Sequence, residues 1–167
     1  HKALPYSQVG SFMVDLRNRS GIAAKALEFT ILTATRSGEV RGATWQEIDL
    51  SKAEWTIPSE RMKAGKEHRI PLSSQVIELL KGIPVGEAND IIFKAPRGGM
   101  LSDMSLGAVL KRMKIQVTTH GFRSTFRDWA GENTAFPREV IEHALAHQLK
   151  DKAEAAYARG TLLVKRR

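Results

Sequence analysis

Apolar residues near the start of the chain recur at helical spacing. Val9, Phe12, Met13 and Leu16 fall at i, i+3, i+4 and i+7 behind Ser7, a side chain suited to cap the helix they predict. A second helix, rich in Ala, Leu and Ile, is expected from Ile22 to Thr35, with Gly21 breaking the chain ahead of it. Ser37 is placed to cap a short third helix through Val40 and Ala43, which sets Arg36 at a helix junction. The period then changes. Ile48 and Leu50, Trp55 and Ile57, and Ile70 and Leu72 alternate with polar positions, which is strand periodicity. Ala64-Gly65-Lys66-Glu67 supplies the turn of a hairpin that carries Lys63 near its tip.

Helical spacing returns after Ser73. Val76, Ile77, Leu79 and Leu80 form one face, and Leu106, Leu110 and Met113 form another behind the cap candidate Asp103. Gly82, Pro84, Gly86, Pro96, Gly98 and Gly99 mark the loop between them, around one short apolar run, Ile91-Ile92-Phe93, a candidate strand. Thr119 is the cap expected for a helix with the face Phe122, Phe126 and Trp129, and Pro137 suits the first turn of the next. No internal repeat is visible. The expected fold class is α+β, mainly α, with a small three-stranded antiparallel sheet inserted after the second or third helix and one domain over residues 1–167.

A chain of 167 residues can bury roughly two thirds of its unfolded surface without staples. It has no cysteine, which excludes disulfides, thiolate zinc sites and a Cys nucleophile. No apolar run approaches the roughly 20 residues of a membrane span, so no membrane partner is expected. Charge changes the picture more. There are 26 Lys and Arg against 18 Asp and Glu, a net +8 with pI near 10.0, which points to a polyanion. The basic residues are scattered and do not form one amphipathic helix, which favours nucleic acid over an anionic membrane. The chain starts without Met and ends on Lys165-Arg166-Arg167 directly after Leu162-Leu163-Val164, so it reads as a fragment of a longer protein.

Cationic candidates precede Tyr157, which with Tyr6 makes up the chain's two tyrosines. A phenol that attacks phosphorus needs donors around the phosphate to hold the charge that builds up in the transition state. Arg36 has Glu39 three residues on, able to orient its guanidinium by a bidentate contact, although the same spacing also describes a plain surface ion pair. His120 and Arg123 share a face at a helix start, where backbone amides favour an anion. Lys63 has Lys66 and Arg69 close by, and an ammonium there can protonate a departing oxygen, with Lys66 as the internal competitor. His147, ten residues before Tyr157, follows Leu145-Ala146; His143, one turn earlier, raises a metal reading, but no third ligand has suitable spacing. Tyr157 lies in an Ala-rich segment, and its alternative role is to anchor the C-terminus in the core.

The order of these residues resembles the catalytic domain of the tyrosine recombinases. Leu32-Thr33-Ala34-Thr35-Arg36-Ser37-Gly38-Glu39-Val40, extended by Thr44-Trp45 and Ile48-Asp49, resembles the family's first box. His120-Gly121-Phe122-Arg123 resembles the second, and Leu145-Ala146-His147 with Tyr157 the third. Arg61-Met62-Lys63 followed by Arg69-Ile70-Pro71-Leu72-Ser73 looks like the hairpin that bears the family's Lys. The likeness runs from about Ser7 to the last residue and is closest to the P4-type prophage integrases.

The resemblance implies a site-specific DNA recombinase. Tyr157 would attack the scissile phosphate to give a 3′-phosphotyrosyl link and free a 5′ hydroxyl. Arg36 and Arg123 would clamp the nonbridging oxygens, Lys63 would protonate the 5′ oxygen, His120 would assist proton transfer at the tyrosine, and His147 would donate to the phosphate. No metal or other cofactor is implied. Double-stranded DNA is the partner, contacted also by Arg61, Lys66 and Arg69, with a homotetramer of the full-length protein on DNA, upstream DNA-binding domains and a C-terminal extension outside this chain, and a bacterial cytoplasmic, nucleoid-associated setting. Strand relaxation of the type IB topoisomerase kind is the nearest enzymatic alternative. A nonenzymatic basic DNA-binding module is the alternative of another class.

Overall fold

The computed structural model describes residues 1–146. Helices α1 (Val9–Arg17), α2 (Ile22–Thr33) and α3 (Ser37–Arg41) come first. Strands β1 (Ile48–Asp49), β2 (Glu54–Ile57) and β3 (His68–Pro71) follow, and then α4 (Ser74–Lys81), α5 (Ser105–Arg112), α6 (Gly121–Asn133) and α7 (Arg138–Ala144). The strands form one antiparallel sheet in the order β1-β2-β3, with Ile48 opposite Trp55 and Trp55 opposite Ile70. The periodicity predicts a mainly helical domain with a small sheet inserted after the second or third helix, and the sheet follows the third. No helix among the described residues is long and apolar enough to cross a membrane.

The apolar stripes explain the packing. Helix α2 is buried on several sides and packs against α1, α3, α4 and α5. Its Phe29 meets Trp55 of β2 edge-on, with centroids 5.1 Å apart, and lies 5.2 Å from Phe93. All three rings are fully buried. Each contributes about 2 to 3 kcal/mol relative to exposure. The run Ile91-Ile92-Phe93 forms a single bridge, Thr44 to Ile91, in place of a strand. Its last two residues serve the core.

Helix ends differ from the pattern-based expectation. Helix α2 stops at Thr33 because Ala34 turns left-handed, φ 54°, and the amides of Ala34 and Thr35 fold back onto the carbonyls of Ile31 and Thr30. A non-glycine residue there costs on the order of 1 kcal/mol, so the surroundings must hold it. Helix α1 begins only at Val9, after a short 3-10 turn over Tyr6–Gln8, and Ser7 does not cap it. Arg36, not Ser37, takes the N-cap position of α3. The expected Asp103 cap is displaced, for α5 begins at Ser105 after Met104. Ser73 does cap α4, accepting from the Val76 amide at 3.3 Å.

Candidate active site

Arg36 stands at the junction between α2 and α3, immediately after the left-handed Ala34 and the buried Thr35. Hydroxyls stiffen this corner: Thr33 Oγ1 donates to the Phe29 carbonyl and lies 2.8 Å from Thr35 Oγ1. Glu39 is buried and engages Arg36 twice. Its Oε1 accepts from the Arg36 amide at 3.0 Å and its Oε2 from Nη1 at 3.3 Å. The expected two-pronged grip on the guanidinium is therefore not formed. One carboxylate oxygen is spent on the helix start, and the Arg36 side chain keeps 26% of its surface exposed. That leaves guanidinium donors for a ligand.

Arg123 lies in the first turn of α6 and is only 5% exposed. Its Nη1 donates to the Ala34 carbonyl and its Nη2 to the Leu145 carbonyl, both at 2.5 Å. Ala34, Leu145, Ala130 and Ile141 form a small apolar cluster of their own, with Phe126 packed against it. One guanidinium thus joins the corner before Arg36 to the end of α7. Burial, and after it the positive charge of Arg36, lowers the Arg123 pKa to about 10. The two arginines repel each other through this corner. An anion placed against both would offset that repulsion and part of the burial cost.

His120 is the N-cap residue of α6 and is exposed, its ring 4.5 Å from that of His1. The first-turn amides of α6 are not open to an anion as expected. Gly121 donates to Thr118 Oγ1 at 2.9 Å, Phe122 to the Thr119 carbonyl and Arg123 to the His120 carbonyl. Thr118 is therefore the capping side chain, one residue before the expected Thr119. Gly121 has a steric reason: a Cβ there would collide with the carbonyl oxygen of Lys2. The N-terminal segment crosses the helix start at that point, and the Lys2 carbonyl accepts from the Thr118 amide.

Lys63 lies on the connection between β2 and β3, exposed, directly after the buried Met62. The Gly65 amide closes a turn onto the Met62 carbonyl at 2.9 Å, and Gly65 has a left-handed φ of 71°. Lys66 and Arg69 are exposed on the same connection and strand; Arg69 is 3.5 Å from Glu67. Arg61 is different. Its Nε and Nη2 fork onto the two oxygens of Glu47 at 2.8 and 2.7 Å, and Nη2 also reaches the Glu39 carbonyl at 3.0 Å. That guanidinium is engaged inside the protein, where the sequence suggested a DNA contact. Glu47 also accepts from Trp55 Nε1 at 3.0 Å, so a buried carboxylate sits among three donors.

The structure thus brings Arg36 and Arg123 to one corner and sets Lys63 on the connection beside α3. His147 and Tyr157 lie outside the described residues. Sequence reasoning missed Glu47 and Thr125, whose Oγ1 donates to the Leu4 carbonyl at 2.6 Å. It also missed His68, buried on β3 with its ring 6.4 Å from that of His143 on α7. A polar residue at an inward position of a strand, as His68 is, is the one signal that was available.

A family profile described as Phage integrase family matches residues 3–161. The chain belongs to the phage integrase family. Its relatives include the integrase of Enterobacteria phage P4, 30% identical over 178 residues that take in 94% of this chain and 40% of that protein. Another is the prophage integrase IntA of Escherichia coli K12, 35% identical over 142 residues, 82% of this chain and 34% of that one. The chain therefore spans roughly two fifths or less of the length of these two relatives. Among solved structures, the integrase of mycobacterium phage Brujita matches with a TM-score of 0.71 at 17% identity, over 99% of this chain and 56% of that one. The fold of this family member is that of the tyrosine recombinase catalytic domain.

Proposed function

We propose that residues 1–167 act as the catalytic domain of a site-specific DNA integrase that cleaves and rejoins strands through a phosphotyrosine. The observation that carries this reading is the meeting of Arg36 and Arg123 at the Ala34 corner, two guanidiniums whose mutual repulsion an intervening phosphate would relieve. The order of the remaining candidates along the chain, and the match with phage and prophage integrases, support it.

In the proposed reaction the Tyr157 oxygen attacks the scissile phosphorus. A P–O bond to tyrosine forms, and the P–O5′ bond breaks. The phenolic proton leaves with help from His120, and Lys63 gives a proton to the departing 5′ oxygen. Arg36 and Arg123, with His147, hold the charge that grows on the nonbridging oxygens. Rejoining runs the same steps in reverse, because the phosphotyrosyl link keeps the bond energy. Neither a metal nor a nucleotide enters this chemistry.

Double-stranded DNA is the proposed partner, and a tetramer of the full-length protein the proposed working unit. The lambda integrase, whose solved structure is a tetramer bound to a Holliday junction, shares the fold at a TM-score of 0.64 and 17% identity. A bacterial cytoplasmic, nucleoid-associated setting is part of the same proposal. A nicked suicide duplex tests the reading: the protein should form a covalent DNA adduct that Tyr157→Phe abolishes. Persistence of the adduct in the Phe variant would overturn the assignment.

A further inference from the structure

Arg61 is bound more firmly than a DNA-contacting arginine needs to be. Its planar fork meets both oxygens of Glu47, a geometry that fixes direction as well as distance. Glu47 is itself buried and held by Trp55 Nε1. The same Arg61 Nη2 donates to the backbone carbonyl of Glu39, the residue whose side chain grips both the amide and the guanidinium of Arg36. Two residues beyond Arg61 comes Lys63, with only the buried Met62 between them. Gly42 completes the arrangement. Its φ is an ordinary −90°, so the backbone does not require glycine, but a Cβ there would lie 2.5 Å from Arg61 Nη1.

We infer that Arg61 is a positioning residue: braced by Glu47 and the Glu39 carbonyl in the space left by Gly42, it sets the backbone that carries Lys63 in register with Arg36. This rests on the strand-cleavage reading, in which Lys63 protonates the leaving 5′ oxygen while Arg36 holds the phosphate. An ammonium displaced by about 1 Å loses much of its use as a general acid, whereas bulk attraction for DNA hardly changes. The link makes a chemical distinction. A 5′-bridging sulfur leaves as a thiolate without needing a proton, so a defect confined to Lys63 disappears on that substrate, and a defect in folding or in the Arg36 clamp does not.

The test uses Arg61→Met combined with Glu47→Gln, which removes the fork without stranding a buried carboxylate and keeps an acceptor for Trp55, and separately Gly42→Ala, which changes no charge. Single-turnover adduct formation on a nicked duplex should fall by about 30-fold or more in both, with DNA affinity within about threefold of the parent. On the same duplex with a 5′-bridging phosphorothiolate, the rates should return to within about threefold of the parent's. Independently of activity, hydrogen exchange at the Gly65 amide should quicken by about tenfold or more. Equal losses on the two substrates, no loss on either, or unchanged exchange would overturn the inference. A parent protein that forms no Tyr157-dependent adduct would sink the strand-cleavage reading instead, and the exchange result would still decide whether Arg61 braces this connection.

Discussion

Arg123 donates from Nη1 to the carbonyl oxygen of Ala34, 89 residues earlier in the chain, at the left-handed residue where α2 ends. This bond joins the His-Gly-Phe-Arg segment to the corner that presents Arg36. It places a buried cation beside a second, part-exposed cation, with burial and Arg36 together lowering the pKa of Arg123 to about 10. A site built this way is costly when empty and favours an anion.

Inorganic phosphate should therefore stabilise the protein through this corner. Thermal unfolding with phosphate at tens of Kd should rise by several degrees in the parent, roughly the 2 kcal/mol that mass action supplies. Arg123→Met should lose most of that gain. An equal response in the two proteins would place the anion elsewhere.

The same cation carries a pH signature. Its folded pKa lies below its ordinary value, so above about pH 10 the unfolded chain binds more protons and this group adds stability as pH rises; below that, the burial penalty is fully present. Urea unfolding of parent and Arg123→Met, compared at about pH 9 and about pH 11, should show the difference moving toward the parent by about 1 kcal/mol. Movement in the opposite direction would contradict the burial account.

Gly121→Ala should destabilise the protein by about 2 kcal/mol or more, because the added methyl meets the Lys2 carbonyl and backbone has to shift. The displaced N-terminal segment is also the one whose Leu4 carbonyl takes the Thr125 hydroxyl. Denaturant unfolding checks it. Gly131→Ala, in the same helix with open space around its Cβ position, is the control and should be neutral or slightly stabilising.

Lys66→Gln and Arg69→Gln should each weaken DNA binding evenly across sequences and lower the salt slope by about 1, as lost phosphate contacts do. The Arg61→Met, Glu47→Gln double variant, whose Arg61 is committed internally, should leave that slope unchanged. Affinity titrations between low and moderate salt separate the two classes.

Periodicity alone determined much of this protein. Apolar spacing located α1, α2, α4, α5 and α6, the change to alternation located the sheet, and the order of Arg36, Lys63, His120, Arg123, His147 and Tyr157 carried the family resemblance, since side-chain period and residue order are properties of the chain itself. What tertiary structure decided was how each basic residue is held. Arg61 and Arg69 look alike in sequence, yet one is clasped by Glu47 and the other lies exposed on β3. Helix ends were decided the same way: Ala34 turns left-handed at a point where local preference would not put it, with Arg123 bonded to its carbonyl. An arginine's partner is chosen by distant carboxylates and carbonyls that come near only once the chain is packed, and no local pattern carries that information.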